Sequence, residues 1–332
     1  MNNFTHQHAA HCESGVISSM LTNKGFKISE AMCFGISSAL TFAYFPFIKV
    51  NSMPLIAYRM PPRHILKGIS KRLNVKFEIK TFGNDQKNAA KILDETLQNG
   101  DIAGIQTSVY YLPYFPKDMR FHFNAHNLIV FKKEKDIYYV SDPVFDYVNT
   151  IKEEDLLKAR FAKGALSPKG AMYTLKSIPQ NIDFEKAIRK ALKKTAHIML
   201  KTPLPLIGIW GMKTIAKKLG SLKTADKSDL RYARLFVSQI IRMQEEIGTG
   251  GGGFRFMYAS FLQESACVLN KPILREASQM ISDAGDKLRF FALMGAKMLK
   301  DKESFDVRAL EKIFRECAEE EERVYRILEQ IK

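Results

Sequence analysis

The chain has 332 residues, 46% hydrophobic and 26% charged, values of a globular protein long enough for two domains rather than a disordered or fibrous one. A formal net charge of +16 suits an acidic partner but says nothing about fold, and no run of roughly 18 uncharged apolar residues is present to span a membrane. Four cysteines without paired spacing (Cys12, Cys33, Cys267, Cys317) exclude a disulfide scaffold or an all-thiolate zinc site, and the first eleven residues carry no Lys or Arg, so a reduced, soluble, cytoplasmic protein is expected.

The first half reads as mixed helix and strand. Val16, Ile17, Met20 and Leu21 share one helical face over 15–22, and Asn23-Lys24-Gly25 ends that helix, because Gly tolerates the left-handed conformation. A second apolar segment runs from Ser29-Glu30 to about Tyr44. Residues 54–60 suit a strand, 63–73 a helix, 75–80 an alternating strand, 85–98 a helix stopped by Asn99-Gly100, and 102–109 a strand. NLIVFK at 127–132 and IYYVS at 137–141 flank a polar turn and read as a β-hairpin. From about 152 the period becomes helical, with helices expected over 152–162, 183–200, 208–219, 226–247, 254–269, 271–299 and 304–331. The Pro-, Gly- and Ser-rich stretch 165–181 marks a seam, so two domains, 1–165 and 166–332, are expected. Residues 176–227 hold 12 basic and 3 acidic residues, while Glu319 to Glu322 run together near the end; solvated helix faces account for both.

Cys12 is the most informative residue. It stands just before the first helix, where first-turn N–H groups and the helix dipole favour a thiolate. A buried structural cysteine is the usual alternative, but the flanks His11, Glu13 and Ser14-Gly15 fit a nucleophile better. A thiolate needs a base, and the base an orienting group. His126 opens the first hairpin strand and Asp142 closes the second, about equally far from the turn. Directly opposed side chains on one face stand roughly 5 Å apart, so the carboxylate is expected to accept from His126 Nδ1–H and leave Nε2 to the thiol.

Other groupings carry less. His6, His8, His11 and Cys12 are packed too tightly for the usual zinc spacings, so no metal and no cofactor are expected. Gly248–Gly253 lacks the Lys-Ser/Thr of a P-loop and follows no strand; it reads as an interhelical turn or as a mobile loop lining a groove, with Gly251, Arg255 and Tyr258 as groove candidates. Ile182–Leu219 mixes Lys clusters with Leu, Ile and Trp210 as a membrane-surface helix would, but Pro203 and Pro205 break it, so two core-facing helices are the simpler account. No nucleic-acid module is visible.

The order Cys12, His126, Asp142 resembles the papain-like fold, in the branch that includes bacteriocin-processing peptidases. HCESGVISSML, FGISSALTF at 34–42, Tyr110-Tyr111-Leu112-Pro113 and HNLIV…YYVSDP are similar to the N-terminal domain of the butirosin biosynthesis protein H family. The helical half, with GTGGGGFRFMYASFLQESA at 248–266, resembles the uncharacterised domain that commonly follows it. The resemblance implies an α+β, papain-like N-terminal domain with an antiparallel sheet, followed by a mostly helical domain. It also implies acyl transfer in secondary metabolism, from an acyl-carrier-protein thioester through an acyl-Cys12 intermediate to an amine on a small molecule. His126 would relay the proton, Asp142 would orient it, and Tyr110 and Tyr111 would line the groove. Papain-like peptidases place a Gln about six residues before the Cys; here Gln7 is five before and His6 six before, which leaves Gln7 or His8 as side-chain oxyanion candidates beside the Cys12 N–H. A hydrolase with the same triad, cleaving a peptide, amide or thioester, is the first alternative. A non-catalytic basic binding protein is the second. The two long C-terminal helices could pair within the chain or across a homodimer.

Overall fold

Strand and helix periods follow the burial they serve. The computed structural model describes residues 4–50 and 52–331. In chain order the elements are α1 (Cys12–Asn23), α2 (Glu30–Ile36), β1 (Leu40–Val50), β2 (Met53–Arg59), α3 (His64–Leu73), β3 (Lys76–Lys80), α4 (Gln86–Gln98), β4 (Ala103–Thr107), β5 (His126–Glu134), β6 (Ile137–Ser141), β7 (Asn149–Lys152), α5 (Glu153–Arg160) and β8 (Met172–Ser177). The helices α6 (Phe184–Lys201), α7 (Gly208–Gly220), α8 (Lys227–Ile241), α9 (Arg255–Val268), α10 (Ile273–Leu299) and α11 (Val307–Glu329) complete the chain. The fold is therefore α+β, an antiparallel sheet followed by helices.

Two compact units form, Met1–Cys33 with Ile65–Ile182 and Phe34–His64 with Asp183–Lys332, a different division from 1–165 and 166–332. The first unit holds a six-stranded antiparallel sheet in the order β3-β8-β4-β5-β6-β7. β8 lies inside the stretch expected to be a seam. Its six residues are flanked by Pro168, Gly170 and Pro179, which disguise it, yet it pairs β3 on one side and β4 on the other. Leu93 of α4 and Leu156 of α5 share a core with Ile105, Leu128, Val130, Val140 and Ile151 on one sheet face. α1 packs against β4 and β5. The caps are local: Asp85 accepts from Asn88 N–H at the start of α4, and Gly25 and Gly100 take positive φ beyond the ends of α1 and α4.

In the second unit the apolar segment after Ser29 breaks at Ser38 (φ 54°), so its later part becomes β1, which pairs with β2. This hairpin packs on α6, α7 and α8. α6 buries Ile188, Leu192 and Met199 and exposes Lys186, Lys190 and Lys193, so its apolar face is covered by protein. Among the described residues no helix is long and apolar enough to cross a membrane.

The groove candidates of this unit lie inside it. Arg255 and Tyr258 are fully buried. Arg255 donates from Nε and Nη2 to Glu321 (2.8 and 2.9 Å) and from Nη1 to the Gly253 carbonyl (2.7 Å), and its guanidinium stands 5.3 Å from the Tyr58 ring centre. Tyr325 also donates to Glu321 (2.9 Å). Burial opposes the Arg255 charge, and Glu321 more than offsets it, holding the guanidinium well above its usual value. The Gly-rich turn is pinned as well: Gly252 N–H reaches Glu245 (3.1 Å), and Gly251 N–H reaches Thr249 (3.0 Å), whose hydroxyl donates to the Gln244 carbonyl. The expectation of a groove-lining loop with Gly251, Arg255 and Tyr258 is thus corrected. A guanidinium taken out of water must have its N–H groups satisfied, and here Glu321 and the Gly253 carbonyl, both in the protein interior, accept from it.

Candidate active site

His11 caps α1, its side chain accepting from Ser14 N–H, so Cys12 is the first helical residue and its sulfur sits at the positive end of the helix. The stretch before it is anchored to the end of β6. Ala9 N–H donates to the Pro143 carbonyl (2.7 Å), His6 Nε2–H donates to the Phe145 carbonyl (2.9 Å), and His6 Nδ1 meets Ser141 Oγ (2.7 Å). Glu30 accepts from Ala10 and His11 N–H (3.0 and 3.3 Å), and burial raises its pKa. Glu13 is buried and accepts from Ile65 and Leu66 N–H (2.9 and 3.3 Å). These bonds tie the segment leading to Cys12 to the residues around Asp142, 130 positions further along the chain.

Gly15 makes that approach feasible. A Cβ there would lie 2.6 Å from Ala9 Cβ and 2.9 Å from Pro143 Cβ. Gly15→Ala is expected to cost about 1–3 kcal/mol through overpacking and to slow alkylation of Cys12, because the segment carrying Pro143 must move away. Urea midpoints and labelling rates of the variant check this; an unchanged rate in a stable variant would show the approach to be slack.

His126, Asp142 and Cys12 are all buried and come together. His126 Nε2–H donates to Asp142 Oδ2 at 2.7 Å, and the ring also hydrogen-bonds the Cys12 side chain. With Nε2 committed to the carboxylate, Nδ1 is the nitrogen left for sulfur. This reverses the expected use of the two ring nitrogens. The hairpin pairing is corrected too. Ile129 pairs with Ser141, which sets Asp142 diagonally across from His126 rather than directly opposite; the strand partner of His126 is Thr107 on β4. Diagonal neighbours on one face remain within reach of a long side chain, so the contact survives the shift in register. Burial pulls the His126 pKa down, but Asp142 and then Cys12 outweigh it and raise it to about 10. The carboxylate and the sulfur beside it thus favour the charged form of the imidazole.

Two aromatic residues that the sequence did not single out complete the carboxylate's surroundings. Tyr114 donates to Asp142 Oδ2 (2.9 Å), and Val144 N–H reaches Oδ1 (3.3 Å). Burial and then Asp142 push the Tyr114 phenol well above its usual value, so it remains a donor. The Phe115 ring meets His126 edge to face at 5.5 Å and shields the pair from water. Their only sequence signal is position, directly after Tyr110-Tyr111-Leu112-Pro113. Tyr110 and Tyr111 are exposed, and their ring contacts run to each other and to His122, on which Tyr110 stacks at 4.0 Å. Of the oxyanion candidates, Gln7 is half-buried, while His8 is exposed with Nδ1 3.7 Å from Asp146. Asn127, also missed, places its side-chain nitrogen 4.0 Å from Cys12 Sγ.

Residues 11–143 match the family described as butirosin biosynthesis protein H, N-terminal, and residues 154–328 match a domain of unknown function, DUF4872. The chain belongs to the family of that helical domain, preceded by a butirosin biosynthesis protein H N-terminal domain. None of the curated proteins compared with it matches. Among solved structures, a C39-like peptidase from Bacillus anthracis is similar, with 13% identity and a TM-score of 0.37, covering 54% of this chain and 98% of its own. The matched N-terminal segment contains Cys12, His126 and Asp142.

Proposed function

We propose that the chain is an acyltransferase that moves an acyl group from a carrier-protein thioester to an amine on a small molecule. The observation that carries the reading is the His126 ring, hydrogen-bonded to Asp142 on one side and to the thiol of Cys12 on the other, within a domain of the butirosin biosynthesis protein H type. The Cys12 thiolate would attack the thioester carbonyl. The tetrahedral oxyanion would collapse with loss of the carrier thiolate, which takes the proton from His126. The acceptor amine would then attack acyl-Cys12, the new amide would form, and the amine's proton would return through His126 as the thiolate leaves. Asp142, itself held by Tyr114, would keep the ring oriented throughout. The +16 charge would speed encounter with an acidic carrier protein.

An acyl N-acetylcysteamine thioester serves as a test donor. Intact-mass and peptide mapping should find the acyl group on Cys12 of the wild type and nowhere in Cys12→Ala. Adding a polyamine should discharge it to the amide. Absence of any Cys12 adduct would overturn the reading. Release of free acid at the same rate with and without amine would replace it by the hydrolase, which uses the same residues with water as acceptor.

A further inference from the structure

We propose that Asn127 is the side-chain hydrogen-bond donor at the reacting sulfur, held in that orientation by Tyr173 and the Ala125 carbonyl. The proposal rests on Cys12 being the nucleophile. Strand alternation sets His126 and Asn127 on opposite faces of β5, and α1 packs against β4 and β5. Cys12, at the first position of α1, is nevertheless met by both of these neighbouring residues at the start of β5, by His126 and by Asn127.

Every hydrogen-bonding group of the Asn127 amide is directed at a neighbour. Nδ2 donates to the Ala125 carbonyl at 3.0 Å and points its other N–H toward Cys12 Sγ at 4.0 Å, and Oδ1 accepts from Tyr173 OH at 3.1 Å. Rotating the amide by half a turn would set its oxygen against the Ala125 carbonyl, two acceptors facing each other in a buried site. The orientation that offers N–H to sulfur is therefore the one the surroundings select. Tyr173 reaches this place because residue 104 is Gly. A Cβ there would stand 2.2 Å from the Tyr173 ring. The amide is 3% exposed, so its dipole acts in a water-poor setting where it counts for more.

The 4.0 Å separation is long for a bond to sulfur but leaves room for an oxygen. An oxyanion donor has to lie about 2.7–3.1 Å from where the charge appears. When Cys12 is acylated, the carbonyl oxygen sits one carbon beyond sulfur. Asn127 would first donate to the thiolate and then to this oxygen as the tetrahedral intermediate forms. It would take the place expected for Gln7 or His8, and Tyr173 would be its positioning residue.

The test is alkylation of Cys12 by iodoacetamide against pH, in a Cys267→Ser background because Cys267 is the exposed thiol. Asn127→Ala should raise the labelling midpoint by about one pH unit, and Asn127→Asp, which keeps the shape but adds like charge, by more. Tyr173→Phe, which removes only the hydroxyl, should shift it the same way by less. With the thioester donor, Asn127→Ala should acylate about 10²–10³-fold more slowly. Thermal unfolding shows which variants are folded, and the isosteric Asp and Phe substitutions keep the question answerable where Ala is not. Midpoints and acylation rates within twofold of wild type in folded variants would overturn the assignment. His126→Ala separates the two readings: if it shifts the midpoint and Asn127→Ala does not, only the Asn127 role fails, and if neither shifts it, the Cys12 nucleophile fails with it.

Discussion

Asp142→Asn is expected to lower the rate of acyl-Cys12 formation by about 10³–10⁴-fold, as loss of an orienting carboxylate does in triads of this kind. The carboxylate is what keeps the buried imidazole charged. Without it, burial pulls the His126 pKa down rather than yielding to Asp142 and Cys12, and the thiolate loses its partner. Labelling of Cys12 should then require a pH above the roughly 8.5 at which a free thiol ionises. Stability carries the same signature. His126 has a folded pKa of about 10 against 6.5 in the unfolded chain, so its contribution is fully present below pH 6.5 and is lost as pH rises through 10. The urea-midpoint advantage of wild type over Asp142→Asn should therefore shrink between those values. An advantage that is flat with pH, or an unaltered acylation rate, would mean that Asp142 holds the strand end and not the base.

Glu321→Ala is expected to destabilise the helical unit by about 3–5 kcal/mol, because it strands a buried guanidinium. Arg255 and Glu321 are both 0% exposed, and the carboxylate also accepts from Tyr325 and from the Cys317 thiol (3.6 Å). The Cys317 thiol, raised mainly by burial, stays neutral there. Replacing both charges, Arg255→Met with Glu321→Leu, should cost clearly less than Glu321→Ala alone, since no uncompensated charge remains. Urea denaturation of the single and double variants decides it. Equal losses would show that packing of the Arg255 stem, not its charge, is what the unit needs.

The sequence pointed to three of the residues that the structure brings together, whatever their role. Cys12 announced itself by its place at a helix start, and His126 and Asp142 by strands of clear β character ending in His and in Asp-Pro. Tyr114 and Asn127 were hidden because nothing local distinguishes an aromatic or an amide that points at a catalytic group from one that does not. Arg255 and Glu321 misled for a related reason. Arg beside a Gly-rich turn and Glu in an acidic run both read as surface, and only their mutual pairing 66 positions apart permits burial.

By itself the sequence determined the periodic elements and most of their ends, because side-chain spacing and caps such as Asp85 and Gly100 act within a few residues. It also determined which residue types were at hand for nucleophilic chemistry. Tertiary structure alone decided that β8 enters the sheet between β3 and β4, that β1 and β2 join the later helices, and which imidazole nitrogen meets the carboxylate. Those outcomes depend on register and on contacts across tens to hundreds of positions, where the energy is set by the partner and not by the residue.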